Sequence, residues 1–197
     1  MLKLVVASKN SGKIKEFRRI LQLDSQGIEL LIDIEIPEVA ETGSTFEENA
    51  LLKAISIAKF TGIPAIADDS GLAIDALDGA PGILSARWSG GGDKENIKKV
   101  LDEIKDVPDS KRSAKFVAVI ALAKPSGENL IIRGELEGSI RRAPVGDNGF
   151  GYDPIFEPIT GDGRTLAELD PSEKDAISHR SLALAQITPL IKPFLIN

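Results

Sequence analysis

The sequence contains no cysteine. Disulfide scaffolds, thiolate nucleophiles and cysteine-based zinc sites are therefore excluded. It contains one histidine, His179. Poly-histidine metal sites are impossible, so any metal must be held mainly by carboxylates, which favours a hard cation such as Mg²⁺ or Mn²⁺. A serine-hydrolase arrangement would have to use His179 as its base, and no G-x-S-x-G elbow accompanies it. No apolar run approaches the roughly 20 residues that a membrane span needs. The opening Leu2-Lys3-Leu4-Val5-Val6-Ala7 is short, lacks a signal-peptide cleavage pattern and reads as a buried strand. Positive charge is scarce as well: 24 Lys and Arg stand against 30 Asp and Glu, a net charge of −6. That argues against nucleic acid or an anionic membrane as a partner. The cytoplasm is the expected location. A local cluster of Lys, Arg and backbone N–H groups can still hold phosphate.

What is present is 197 residues, 42% of them hydrophobic. That is enough for one domain with a sizeable core, or two tightly joined lobes. There is no internal repeat and no low-complexity linker. Strands are predicted at Leu2–Ser8 and Ile28–Ile34. A helix is predicted over Ser11–Leu23, with Ile14, Phe17, Ile20 and Leu21 on one face. A second runs from Thr45 to Thr61, opened by a Thr45/Glu48 capping box and ended by Gly62 and Pro64. Pro64–Ala67 reads as a short strand running into Asp68-Asp69-Ser70-Gly71, and Leu72–Leu77 as another strand. Gly79–Gly92 reads as a loop with one helical turn, and Asp93 as the cap of a helix to Lys105. Ala114–Ala123 and Leu130–Ile140 read as paired strands, and Arg141–Pro158 as loop. Thr165 and Asp170 open short helices. The last helix is expected from His179 to Ile187, ending at Pro189. Strands and helices mix without strict alternation, so the expected class is a mixed α/β sheet with flanking helices.

Five segments carry chemistry. Ser8-Lys9-Asn10-Ser11-Gly12-Lys13 leaves a strand and enters a helix, where free N–H groups and the helix dipole favour phosphate. It is not a Walker A loop: Ile14 stands where Ser or Thr would hold Mg²⁺. An ordinary polar βα loop fits the same residues. Asn49 and Lys53 share one face of the second helix; Lys53 either reaches a polyphosphate or is solvated. Glu41 lies in the loop before that helix. In Asp68-Asp69, adjacent carboxylates after an apolar strand need something positive nearby. Alternation along a strand points them to opposite faces; a turn in which they bond backbone N–H groups is the other reading. Gly149-Phe150-Gly151-Tyr152-Asp153 can present a ring face to a base, a stack worth about 1–3 kcal/mol in nucleic-acid systems, or can simply pin a loop to the core. Lys174 and Ser178-His179-Arg180 crowd basic groups into one short stretch of an acidic chain.

Together these segments resemble the inosine triphosphate pyrophosphatase family, the XTP/dITP diphosphatases or Ham1-like proteins. The resemblance covers nearly the whole chain. It runs through Ser8-x-Asn10-x-x-Lys13-x-x-Glu16, Glu41-Thr42-Gly43 with Thr45-Phe46, Glu48-Asn49-Ala50 and Lys53-Ala54, then Ala67-Asp68-Asp69-Ser70-Gly71-Leu72. Gly79-Ala80-Pro81-Gly82 with Ser85-Ala86-Arg87, Gly149-Phe150-Gly151-Tyr152-Asp153-Pro154 and Ser178-His179-Arg180 complete it. Any one motif is moderately specific; their joint order is highly so. The resemblance implies a single domain over 1–197, an elongated mixed α/β fold of two lobes around a central nucleotide-binding cleft, usually homodimeric. It implies Mg²⁺-dependent cleavage of non-standard purine nucleoside triphosphates (ITP, dITP, XTP) to monophosphate and pyrophosphate. Asp69 then takes the role of general base and metal ligand, Glu41 that of metal ligand, and Lys53 that of a catalytic lysine. Ser8, Lys9, Asn10, Ser11, Gly12 and Lys13 meet the triphosphate. Ser70, Phe150, Gly151, Tyr152, Asp153, Lys174, His179 and Arg180 surround the nucleoside.

One departure is Ala40, where some relatives carry an acidic residue; the metal assignment there rests on Glu41. The related Maf-like pyrophosphatases open with Ser-x-Ser-Pro-Arg-Arg, which this chain lacks. A non-catalytic nucleotide sensor would not need Glu41, Asp68 and Asp69.

Overall fold

The computed structural model describes residues 1–32 and 34–196. Among the described residues there are six strands: β1 (Leu2–Val6), β2 (Ile28–Leu31), β3 (Ala65–Ile74), β4 (Ser113–Ala123), β5 (Asn129–Ile140) and β6 (Phe156–Pro158). The described residues also form five α-helices: α1 (Ser11–Ile20), α2 (Phe46–Thr61), α3 (Asp93–Glu103), α4 (Pro171–Ile177) and α5 (His179–Ile196). The hydrogen-bonded strand order is β2-β1-β3-β4-β5-β6. β1 is parallel to both β2 and β3, whereas β5 and β6 are antiparallel. The fold is thus mixed α/β.

The chain divides into two compact units. The first comprises Met1–Asp69, Ala118–Gly134 and Arg180–Asn197. Its core gathers Leu4 and Val6 of β1, Phe17 of α1, Ile66 of β3, Ile120 and Leu122 of β4, and Leu184, Ile187 and Ile191 of α5. The second comprises Ser70–Val117 and Glu135–His179. Its core gathers Leu72 and Ile74 of β3, Ile97 and Val100 of α3, Phe116 of β4, Leu136 of β5, and Tyr152, Ile155, Phe156 and Leu166. Strands β3, β4 and β5 have residues in both units, and the unit boundaries fall after Asp69, Val117, Gly134 and His179.

Several elements differ from the sequence expectation. β3 is one unbroken strand, not two segments joined by an Asp-Asp-Ser-Gly turn. Asp68 and Asp69 lie mid-strand and buried, each meeting a cation, so the carboxylates need no turn N–H groups. Gly71 is there for close approach: a Cβ would collide with the Gly82 carbonyl and the Ser85 hydroxyl. Ser85 Oγ accepts from Leu72 N at 2.9 Å and donates to Gly82 O at 2.6 Å.

The second helix begins at Phe46 with Thr45 as its N-cap, whose Oγ1 accepts from Glu48 N at 3.1 Å. The Glu48 carboxylate does not close the box onto Thr45; it accepts from Ser44 N at 2.6 Å and Ser44 Oγ at 2.9 Å. Gly92, not Asp93, occupies the N-cap of α3, and the Asp93 carboxylate accepts from Gly151 N at 2.7 Å instead. β6 and a 3-10 turn at Asp153–Ile155 lie within the stretch read as loop. α1 stops at Ile20 and β2 at Leu31; Asp33, inside the expected second strand, lies outside the described residues.

α5 continues through Pro189 and Pro193 to Ile196. A helix-interior proline costs about 3 kcal/mol. Ile187 and Ile191, fully buried on either side of Pro189, return about 1.5–3 kcal/mol each on burial. The two prolines, four residues apart, sit on the exposed side.

Candidate active site

In the first unit, β1 delivers the chain into a short polar loop before α1. Asn10 caps the helix, its Oδ1 accepting from Lys13 N at 3.0 Å, and Ser8 Oγ accepts from Asn10 N at 3.2 Å. Lys9, Asn10 and Ser11 are exposed, while Ser8 and Gly12 are half-buried. Lys13 and Glu16, three apart, share one side of α1. Lys13 Nζ contacts Asp68 Oδ1. Arg180 Nε donates to Asp68 Oδ2 at 3.1 Å, and Arg180 Nη1 donates to Glu16. Glu16, Arg180, Asp68 and Lys13 therefore form an alternating row of charges, two negative and two positive. Arg180 and Asp68 are wholly buried in it. Burial alone would raise the Asp68 carboxyl, but the Arg180 and Lys13 charges hold it well below the usual carboxylate range. Burial draws Lys13 below the ordinary lysine value, more than Asp68 pushes it back.

Asp69, the next residue along β3, meets a different cation, as strand alternation requires. Lys53 Nζ donates to Asp69 Oδ1 at 3.0 Å and to Glu41 Oε1 at 2.5 Å. The ammonium thus bridges the two carboxylates. Burial would lower Lys53, yet Asp69 and Glu41 raise it above its ordinary value. Asp69 itself is raised, chiefly by burial. Its second oxygen, Oδ2, is buried and has no hydrogen-bond partner among the described residues.

Glu41 is held in place by its neighbours. Gly43 N donates to Asn49 Oδ1 at 2.8 Å, and Asn49 is fully buried one helical turn before Lys53. A Cβ on Gly43 would lie 2.6 Å from Glu48 Cβ and 2.8 Å from Asn49 Oδ1, so only glycine lets the loop approach α2 this closely.

No group of three or more His, Cys, Asp and Glu residues with metal-binding geometry occurs among the described residues. A carboxylate pair already sharing one cation, with an uncommitted buried oxygen on Asp69, nevertheless fits a hard divalent ion. Such an ion commonly takes one or two protein carboxylates and completes its shell with water and phosphate oxygens.

The second unit carries Ser70, half-buried on β3, and the Phe150–Asp153 loop. Asp153 organises the loop. Its Oδ2 accepts from Phe150 N at 2.9 Å and pairs with Lys174 Nζ at 2.6 Å, both side chains being buried. The Lys174 ammonium also lies 4.9 Å from the Phe150 ring centroid, a cation–π arrangement. Gly151 N is held by Asp93. The Tyr152 hydroxyl donates to Ser85 O at 2.8 Å, and burial raises its pKa well above the ordinary tyrosine value. Tyr152 therefore anchors the loop to the core. His179 is buried against Phe116: the rings are stacked, 4.7 Å between centroids and 9° from parallel.

The structure thus brings together Lys13, Lys53, Glu41, Asp69 and Arg180 in the first unit, and Phe150, Asp153 and Lys174 in the second. Sequence reasoning did not give Glu16, Asn49 or Phe116 a role. Glu16 had a usable signal, its spacing from Lys13 on one helical face. Phe116 had none, because its partner is remote in sequence.

The sequence pattern of the Ham1 family matches residues 4–190. A dITP/XTP pyrophosphatase of Symbiobacterium thermophilum is similar to this chain, 51% identical over 93% of it and 92% of that protein. The solved structure of a HAM1 protein from Coxiella burnetii matches with TM-score 0.88 at 47% identity, over 98% of this chain and 100% of that one. That of a nucleoside-triphosphatase / dITP/XTP pyrophosphatase from Mycobacterium abscessus matches with TM-score 0.77 at 49% identity, over 96% and 100%.

Proposed function

This chain belongs to the Ham1 family, and from that premise we propose that it clears non-standard purine nucleotides from the nucleotide pool. It hydrolyses ITP, dITP and XTP to the monophosphate and pyrophosphate. The observation that carries this reading is the Glu41–Lys53–Asp69 cluster, in which one lysine joins two carboxylates and the second Asp69 oxygen is uncommitted. The residues fit Mg²⁺, with Glu41 and Asp69 as its holders. When bound there, Mg²⁺ supplies charge to the phosphate oxygens and acidifies a nearby water.

The chain's own residues do the rest. Asp69, raised by burial, is the proton acceptor as water attacks the α-phosphorus. Lys53 and Lys13 offset charge on the departing pyrophosphate. Ser8, Lys9, Asn10, Ser11 and Gly12 orient the triphosphate with side chains and backbone N–H groups. Phe150, fixed by Asp153 and Lys174, gives the purine a face to stack on; Ser70, Gly151 and Tyr152 complete the nucleoside's surroundings. Donors from His179, Arg180 or backbone pair with a 6-oxo group. Adenine presents an amino donor there and would leave buried donors unpaired, which is a strong means of rejection. Guanine keeps the 6-oxo group, so its exclusion falls to the 2-amino group. The enzyme acts as a cytoplasmic homodimer.

Hydrolysis in ¹⁸O-water tests the point of attack. Label in the monophosphate supports attack at the α-phosphorus, and label in the pyrophosphate contradicts it.

A further inference from the structure

The second unit contains a contact that the reaction scheme above leaves unused. Phe116 on β4 lies face to face with His179, at 4.7 Å and 9°. On the same ring Phe156 packs at 4.6 Å and 52°. Phe116 and His179 are 6% and 4% exposed, and Phe156 is fully buried. Phe116 is thus held by Phe156 and presents a flat wall to the imidazole.

A flat wall does something an aliphatic side chain cannot. A leucine fills volume but leaves a neighbouring ring free to turn about its Cβ–Cγ bond. A parallel aromatic ring packed against it in the interior opposes that turn sterically, because the imidazole edge would need room that the close-packed face does not leave. The ring nitrogens of histidine donate in the imidazole plane, and a hydrogen bond weakens steeply away from linearity. Fixing the plane therefore fixes where a purine carbonyl must lie to be bonded.

We infer that Phe116 is a positioning residue for purine selection, acting through His179. It orients the imidazole for a 6-oxo purine and itself touches no substrate. This rests on the reading that His179 contacts the base.

The test compares wild type with Phe116→Leu, Phe116→Met, Phe116→Tyr, His179→Ala and the double variant Phe116→Leu/His179→Ala. The readout is the ratio of kcat/KM for ITP to that for ATP. That ratio is unaffected by the fraction of enzyme that is folded, so a merely structural role of Phe116 leaves it unmoved. Phe116→Leu and Phe116→Met should each lower the ratio about tenfold, and His179→Ala should lower it similarly. Phe116→Tyr, which keeps the ring, should restore it to within about twofold of wild type, and the double variant should fall no further than His179→Ala. His179 is the only histidine, so its ring protons can be followed without overlap by NMR. They should be shielded by the Phe116 face in the wild type and move downfield in Phe116→Leu.

A ratio unchanged in both Phe116→Leu and Phe116→Met, with a fall in His179→Ala, overturns the role of Phe116 and spares that of His179. An unchanged ratio in His179→Ala overturns the reading of His179, and the inference with it. Losses that multiply in the double variant also overturn it, because the two residues would then act separately.

Discussion

Replacing Asp68 by Asn removes one charge from the Glu16–Arg180–Asp68–Lys13 row and keeps its shape. The Asp68 side chain is 0% exposed, and those of Arg180, Glu16 and Lys13 are 1%, 5% and 15% exposed. Breaking a buried ion pair from one side costs about 3–5 kcal/mol. Three features point to the lower end. Glu16 still neutralises Arg180, the Asn oxygen still accepts a hydrogen bond, and Lys13, already drawn below its ordinary pKa by burial, can shed its proton. A loss of about 3 kcal/mol corresponds to a melting temperature lower by about 6–12 °C in a chain of this size. Urea and thermal unfolding at pH 7 measure both quantities.

The pH dependence has a definite sign. The folded-state value of Asp68 is depressed, against about 3.9 in the unfolded chain. Its contribution is complete above the unfolded value and is lost as pH falls through the folded one. The gap between wild type and Asp68→Asn should therefore narrow on acidification below about pH 4. A loss under about 1 kcal/mol at pH 7, the scale of a surface pair, would refute the buried-row argument. Because both Asp68 oxygens are committed to Lys13 and Arg180, the Mg²⁺ concentration for half-maximal activity should change little in this variant. A shift as large as that in Asp69→Asn would show that the metal was assigned to the wrong aspartate.

Asp69→Asn should lose about 10²–10⁴-fold in kcat while retaining a cooperative unfolding transition, as expected for loss of a general base; a near wild-type rate would remove Asp69 from that role. Gly43→Ala pushes a Cβ against Glu48 and Asn49 and displaces the Glu41 loop. It should raise the half-saturating Mg²⁺ concentration about tenfold, the scale seen when residues supporting a metal ligand are changed, measured by titration at saturating ITP. Chelation with EDTA should abolish turnover and added Mg²⁺ restore it, whereas turnover that survives chelation would contradict the metal's part.

Much of this site was legible in the sequence because its signals are local. Thr45 and Glu48 announce the start of α2, and that start fixes the face on which Asn49 and Lys53 stand. Alternation along a strand points Asp68 and Asp69 to opposite faces, and there they meet different cations. Both halves of that inference needed only period and spacing. The sequence divides β3 into two segments because Asp, Asp, Ser and Gly together look like a turn. Their cations, Lys13, Lys53 and Arg180, come from three other parts of the chain, and Gly71 answers to the remote Ser85. The end of α5 was misplaced for a related reason. Pro189 is a local stop signal, but burial of Ile191 in the first unit's core overrides it. β6 is three residues long and is defined only by its pairing with Gly138, Ser139 and Ile140 of β5.

The central claim is a pyrophosphatase that acts on hypoxanthine and xanthine nucleotides and spares those of adenine and guanine. It is tested most directly by presenting ITP, dITP, XTP, GTP and ATP, each with Mg²⁺, and measuring pyrophosphate and orthophosphate release separately. The account predicts pyrophosphate from ITP, dITP and XTP, with ATP and GTP turned over far more slowly. Orthophosphate as the sole product, or ATP hydrolysed as fast as ITP, would contradict it.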